Sequence, residues 1–280
     1  MSENSTNVVK NRYDFILLFD VTDGNPNGDP DSGNLPRIDP ETGEGLVTDV
    51  CIKRKVRNYV QVASDNEIFV KENAILNQAI NSAVEEATGS TSKTKNKEGR
   101  DQARSLMCKR FYDIRTFGAV LSTGNNAGQV RGPIQLTFGR SIDPIFPHEH
   151  TLVPVVAADK DQTMGRKATV PYGLYRMYGF VTPHFAEDTG FTEEDLELFW
   201  EALQNMFDID HSAARGLMSL CKLIVFKHQS GLGNVPAHKL FELVQVRKKE
   251  GVTIPRKFAD YEISINKDAM PVSVQLEELV

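Results

Sequence analysis

Tyr13, Phe15, Leu17 and Phe19 alternate with Asp14, Ile16, Leu18 and Asp20. That is a period of two, with apolar residues on the second face as well, so the segment reads as a central strand buried on both sides. A glycine-, proline- and aspartate-rich stretch from Asp23 to Gly45 follows. Loops this long inside a compact chain are usually binding or functional surfaces. Thr48 suits an N-cap and Asp49 a first helical turn. Beyond them Ile52, Val56, Tyr59 and Val60 fall on one face at helical spacing, and Lys53, Arg54 and Arg57 on another.

The same periodicities extend along the chain. Glu72 to Ala87 reads as a helix, and Gly89 to Arg104 as a polar, lysine-rich surface loop that would also suit a phosphate backbone. Phe111 to Ser122 reads as strand, with Arg115 either paired with a neighbour such as Asp113 or facing a ligand. Val130 to Ile142 reads as a strand with an edge or bend at Pro133. His148 to Val181 reads as a long hairpin, with arms at Thr151–Ala157 and Ala168–Phe180. Met164, Arg166 and Lys167 lie at or near its tip. Two readings are open there: a bare turn, or an apolar wedge between bases flanked by phosphate-binding cations. Thr192 and Asp195 form a capping box before the stripe Leu196, Phe199, Trp200, Leu203 and Phe207. Asp210 to Met218 reads as a short helix. Leu220–His228, Phe241–Arg247 and Tyr261–Ile265 read as strands. The order predicts one α+β domain with insertions, on a split βαβ, ferredoxin-like core.

Charge changes this picture. The net charge of −6 argues against a polyanion partner, but residues 51–115 carry 13 basic against 8 acidic side chains, between acidic ends. A basic strip on an otherwise acidic surface suits nucleic acid, and it also suits head-to-tail self-association. No carboxylate lies between Cys51 and Ala63, and Asp49 reaches only Lys53 at helical spacing. The helix cations therefore read either as a solvated face or as a seat for phosphates beside the loop's free N–H groups.

Composition excludes several classes. No apolar run approaches the ~20 residues of a membrane span, and MSENSTNVVK lacks a signal-peptide pattern. Three scattered cysteines point to a reduced, cytoplasmic setting without a zinc site. Asp23, Asn25, Asn27 and Gly28 open like a calcium loop, but Asn34 stands where a bidentate glutamate belongs. Asp23, Asp29, Asp31 and Asp39 would suit a magnesium ion, although aspartates beside glycine and proline are more often turn formers. His148 and His150 lack further marked ligands.

Residues 11–60 resemble the N-terminal signature of the Cas7 backbone subunits of type I CRISPR interference complexes, most closely the type I-C form. Asp113–Gly118, Arg131–Gln135, Asp210–Gly216 and Val225–His228 agree with that family. The resemblance implies an RRM-like (ferredoxin-like) palm, a fingers-like insertion at about 61–110 and a thumb hairpin at about 148–181. It implies a non-catalytic subunit that polymerises along CRISPR RNA within Cascade, leaving guide bases free to pair with target DNA. Neighbouring copies and the large, small and repeat-processing subunits are the implied partners, with no cofactor, metal or membrane. The implied RNA-binding residues are Asn25, Asn27, Lys53, Arg54, Arg57, Arg115, Met164, Arg166 and Lys167. The alternative is a metal-dependent ribonuclease using the loop Asp23–Asp39, after type III relatives that cleave RNA.

Overall fold

The computed structural model describes residues 7–89, 97–122, 125–153 and 165–280. Strand β1 (Tyr13–Gly24) leads into a loop carrying the two-residue strands β2 (Gly28–Asp29) and β3 (Leu35–Pro36), then β4 (Glu44–Val47). Helices α1 (Asp49–Ala63), α2 (Leu76–Thr88), α3 (Lys97–Arg110) and α4 (Tyr112–Phe117) follow. Next come the short strands β5 (Gly118–Val120), β6 (Gln129–Arg131), β7 (Ile134–Leu136) and β8 (Gly139–Pro144), then β9 (His148–Leu152) and β10 (Gly165–Val181). The chain continues through α5 (Pro183–Thr189), α6 (Glu193–Ile209), β11 (Leu217–His228), α7 (Ala237–Phe241), β12 (Val244–Lys248), β13 (Tyr261–Ile265) and β14 (Val274–Glu278).

The main sheet is antiparallel, in the order β14-β11-β1-β10-β8-β4, with β7 and β9 pairing other stretches of β10. β1 is central, as its pattern predicts. Phe15, Leu17, Phe19 and Val21 pack with Ile52, Val56 and Val60 of α1 and with Phe199, Leu203 and Met206 of α6. Phe15 sits directly over its cross-strand partner Gly179, where an added Cβ would lie 2.0 Å from the ring. On the other face Ile16 and Leu18 pack with Leu174, Ile224, Phe226, Leu240, Val244 and Tyr261. Each such fully buried side chain contributes ~2 kcal/mol of transfer free energy. A separate apolar cluster joins Phe69, Ile80 and Val84 to Ala103, Met107, Phe111 and Val130.

Buried polar groups on β1 are paired. Asp14 accepts from Arg12 Nε at 3.1 Å and lies 2.9 Å from Nε2 of the fully buried His228. His228 Nδ1 accepts the Asn234 N–H at 2.9 Å, so Nε2 carries the proton that Asp14 receives.

Several elements differ from the sequence reading. Residues 112–117 are helix, not strand, because five of the six are buried and no one-sided pattern survives. The stretch read as a polar loop is helical from Lys97, since its buried stripe begins with the small residues Gly99 and Ala103; residues 90–96 lie outside the described residues. Asp210–Gly216 is a turn rather than a helix, because the Asp210 carboxylate is bound by Lys55, Asn58 and Arg215. The Val130–Ile142 strand is broken into β6, β7 and β8. The edge strand β14 has no counterpart in the sequence reading.

Candidate nucleic-acid interface

β1 ends against the turn at Arg215–Gly216. A Cβ on Gly24 would stand 1.8 Å from the Arg215 carbonyl oxygen, and one on Gly216, at φ +62°, would stand 2.4 Å from the Thr22 carbonyl oxygen. Only glycine fits this crossing. Asn25 then donates its backbone N–H to Ala214 O at 2.8 Å and its side-chain Nδ2 to Asn34 O at 2.7 Å, closing the loop. Asn27 Oδ1 accepts from Thr48 N (2.8 Å) and Thr48 Oγ1 (2.9 Å). Thr48 in turn caps α1 by accepting from Cys51 N, and Cys51 Sγ donates to Pro26 O. The loop is thereby laid across the N-terminus of α1.

The result is a cleft of about 540 Å³ lined by Asn25, Asn27, Arg37, Arg54, Phe138 and Arg215 among others. A second cleft of about 380 Å³ shares Asn25, Asn34 and Ala214 with it and adds Arg166, Lys167 and Glu149. Arg54 and Arg166 are exposed and make no ion pair among the described residues. Lys167 donates to Ala213 O. Arg37 and Arg215 face Asp29 and Asp210 at 3.4 and 3.3 Å. Asn25, Asn27, Arg54, Arg166 and Lys167 thus meet along one double cleft.

Three other candidates are engaged elsewhere. Lys53 pairs with Asp49 at 2.9 Å and lies over the Phe117 ring. Arg57 donates to Asp113 at 2.8 Å, and that buried carboxylate also accepts from Phe69 N and Val70 N. Arg115 is paired not with Asp113 but with Asp195 and Asn66. Of Lys53, Arg54 and Arg57 on α1, Arg54 alone is unpaired among the described residues. Lys53 takes Asp49, the one acid within helical reach, whereas the carboxylates that hold Arg57 and Arg115 lie far along the chain, on α4 and α6. Met164 lies outside the described residues.

The sequence reading missed Arg37, Arg215 and Lys55. Lys55, 1% exposed, bonds Asp210 beneath the cleft. Burial opposes ionisation of Asp210, yet the Lys55 bond, with Arg215 and Asn58, outweighs it and holds the carboxyl below its usual range. The clustering of Asp210 and Arg215 in one turn ending at Gly216 was the available signal.

The loop aspartates serve turns and ion pairs. Asp29 caps the 3₁₀ turn Pro30–Ser32, accepting from Asp31 N. Asp39 receives Arg140 at 2.8 Å, which lowers its pKa. Among the described residues no group of three or more His, Cys, Asp or Glu is placed to hold a metal ion. No helix among them is long and apolar enough to cross a membrane.

The sequence profile of the family "CRISPR-associated protein Cas7" matches residues 11–266. The chain belongs to the Cas7 family. The Cas7 match runs from before β1 to the end of β13, and so takes in every residue lining the two clefts. A CRISPR-associated protein Cas7 of Haloferax volcanii is 26% identical over 221 residues, covering 70% of this chain. The chain spans 65% of that relative's length. A chain of the solved "CRISPR RNA-guided surveillance complex, pre-nicking" has a similar fold, with a TM-score of 0.51 and 15% identity over 77% of this chain and 78% of that one.

Proposed function

We propose that this Cas7 protein is a non-catalytic, RNA-binding backbone subunit of a CRISPR effector complex of type I-C. Copies line up along one CRISPR RNA, hold its phosphates and leave its bases free to pair with target DNA. The observation that carries this reading is the double cleft, in which Arg54 and Arg166, unpaired among the described residues, flank a loop pinned by Asn25 and Asn27. Cations presented along a groove bind a backbone without reading its sequence, which is what a guide holder needs. In this reading the main sheet is the RRM-like palm, residues 61–110 with their separate apolar cluster are the fingers, and β9–β10 is the thumb. Neighbouring copies and the large, small and repeat-processing subunits are the protein partners. Lys53, Arg57 and Arg115 support the fold around the cleft rather than holding RNA.

The test is the mass of purified protein with and without CRISPR RNA, at low and high salt and with magnesium. The expected result is a defined multi-subunit particle containing intact RNA. Unassembled protein with shortened RNA would overturn the proposal.

A further inference from the structure

The cations of the double cleft account for affinity toward any polyanion; they do not account for a choice between RNA and DNA. Asn25 sits where the two clefts meet and is 8% exposed. Its Nδ2 donates to Asn34 O, and because a carbonyl only accepts, that bond fixes which end of the carboxamide is nitrogen. The other end, Oδ1, is buried and has no hydrogen-bond partner among the described residues. Buried polar atoms are nearly always paired, and an orphan among them invites a ligand. A carboxamide oxygen can only accept. Phosphate oxygens, which Arg54 and Arg166 suit, also only accept, so they cannot satisfy it.

The same cleft holds the complementary orphan. Arg37 Nε is a buried donor without an acceptor among the described residues, while Arg37 Nη1 lies 3.4 Å from Asp29. The cleft therefore lacks one donor and one acceptor within a cationic wall. A ribonucleotide supplies both, through its 2′-hydroxyl and its phosphate. The sugar–phosphate backbone of a deoxyribonucleotide supplies only the acceptor.

We infer that Asn25 Oδ1 accepts a hydrogen bond from a ribose 2′-hydroxyl, making Asn25 the residue that selects RNA over DNA in this cleft. The inference rests on the RNA-binding reading above and adds which sugar is taken and which atom reads it. Its geometry is preset: the backbone bond to Ala214 and the side-chain bond to Asn34 hold the carboxamide before any ligand arrives.

The test compares three oligonucleotides of one sequence on the full chain by fluorescence polarisation: all-ribo, all-2′-deoxy and all-2′-fluoro. The 2′-fluoro sugar keeps a ribose-like pucker but cannot donate. The wild type should bind the ribo form about fivefold more tightly than the 2′-fluoro form, the worth of one net hydrogen bond. Asn25→Ala should bring that ratio to one, whereas Arg54→Ala should weaken all three ligands by the same factor. Equal wild-type affinity for ribo and 2′-fluoro forms overturns the inference and assigns any discrimination to pucker or a bridging water. So does a ratio that survives in Asn25→Ala. If Asn25→Ala opens the loop and fails to fold, the wild-type ratio can still overturn the inference, because there only the ligand changes. Binding of none of the three overturns the RNA-binding reading itself, and this inference with it.

Discussion

Arg115 grips Asp195 with both prongs of its guanidinium, Nε to Oδ2 at 2.9 Å and Nη2 to Oδ1 at 2.8 Å. The same carboxylate closes the capping box of α6 by accepting the Thr192 N–H at 3.1 Å. One side chain thus starts a helix and ties it to α4. Both partners are nearly buried, at 13% and 10% side-chain exposure. Removing one member of such a pair strands the other's charge. Arg115→Ala should cost about 3 kcal/mol in urea unfolding, while the folded fraction keeps its RNA affinity. A variant of wild-type stability with weakened RNA binding would return Arg115 to the interface.

Within α1, adjacent cations should behave differently. Arg54→Ala should lower the salt dependence of RNA binding by about 0.7 in log–log slope, the share of one phosphate contact on a single strand. Lys53→Ala should leave that slope unchanged, because Lys53 is already paired with Asp49. Arg57→Ala should act on stability instead, by about 3 kcal/mol, since it uncovers the buried carboxylate of Asp113. Salt titrations of the three variants separate these outcomes.

Acid should loosen the floor of the cleft through Asp210. Burial holds Lys55 below its ordinary value, and its bond to Asp210 offsets only part of that. Asp210, less buried and facing two cations, governs the acid response. Its folded-state pKa lies below the ordinary carboxylate value of 3.8. The stabilisation is therefore complete above that value and is lost as pH falls through the lower, folded-state one. Asp210→Asn should flatten the acid limb of a stability–pH curve in that window, at a lower plateau. An acid limb identical to wild type would remove Asp210 from this role.

The three thiols should separate in alkylation at pH 8. Burial pushes Cys108 up to about 11 and, with the neighbouring Asp20, also raises Cys221, so both stay protonated at pH 8. Cys51 is partly exposed and lines the first cleft. It should be labelled first, and bound RNA should protect it. Peptide mapping with and without RNA reads this directly; labelling of Cys108 ahead of Cys51 in the native protein would contradict the packing.

The crossing of Gly24 and Gly216 admits no side chain. Gly24→Ala should force β1 away from the 212–215 turn, since the new methyl would meet the Arg215 carbonyl. The expected outcome is a loss of several kcal/mol, with the remaining folded protein binding RNA poorly because Asn25 loses its hold on Ala214.

Where apolar positions recur at a clear period, the sequence shows the element plainly, as in β1 and α6. It also shows the loop and the cap at Thr48, because turn and cap residues act locally. What stays hidden is set at a distance. Arg57 finds Asp113 across 56 residues and Arg115 finds Asp195 across 80, so both resemble free cations in the sequence. α3 hides because its buried stripe begins with glycine and alanine, and α4 because it is buried on nearly every side. β14 pairs only with β11, and its Val-Gln-Leu-Glu-Glu carries two carboxylates, so it lacks the apolar weight of an inner strand.

The position of β1 has a further consequence for how the protein is made. β1 leaves the ribosome well before its two neighbours, β10 and β11, which begin at residues 165 and 217. Everything between Gly24 and Gly165 must be synthesised before either edge of this apolar strand is covered. Such distant pairings fold slowly and leave a sticky intermediate on the way. The nascent chain therefore carries an apolar strand unpaired while more than a hundred further residues are made, so chaperone supply and translation speed should bear on the yield of folded protein.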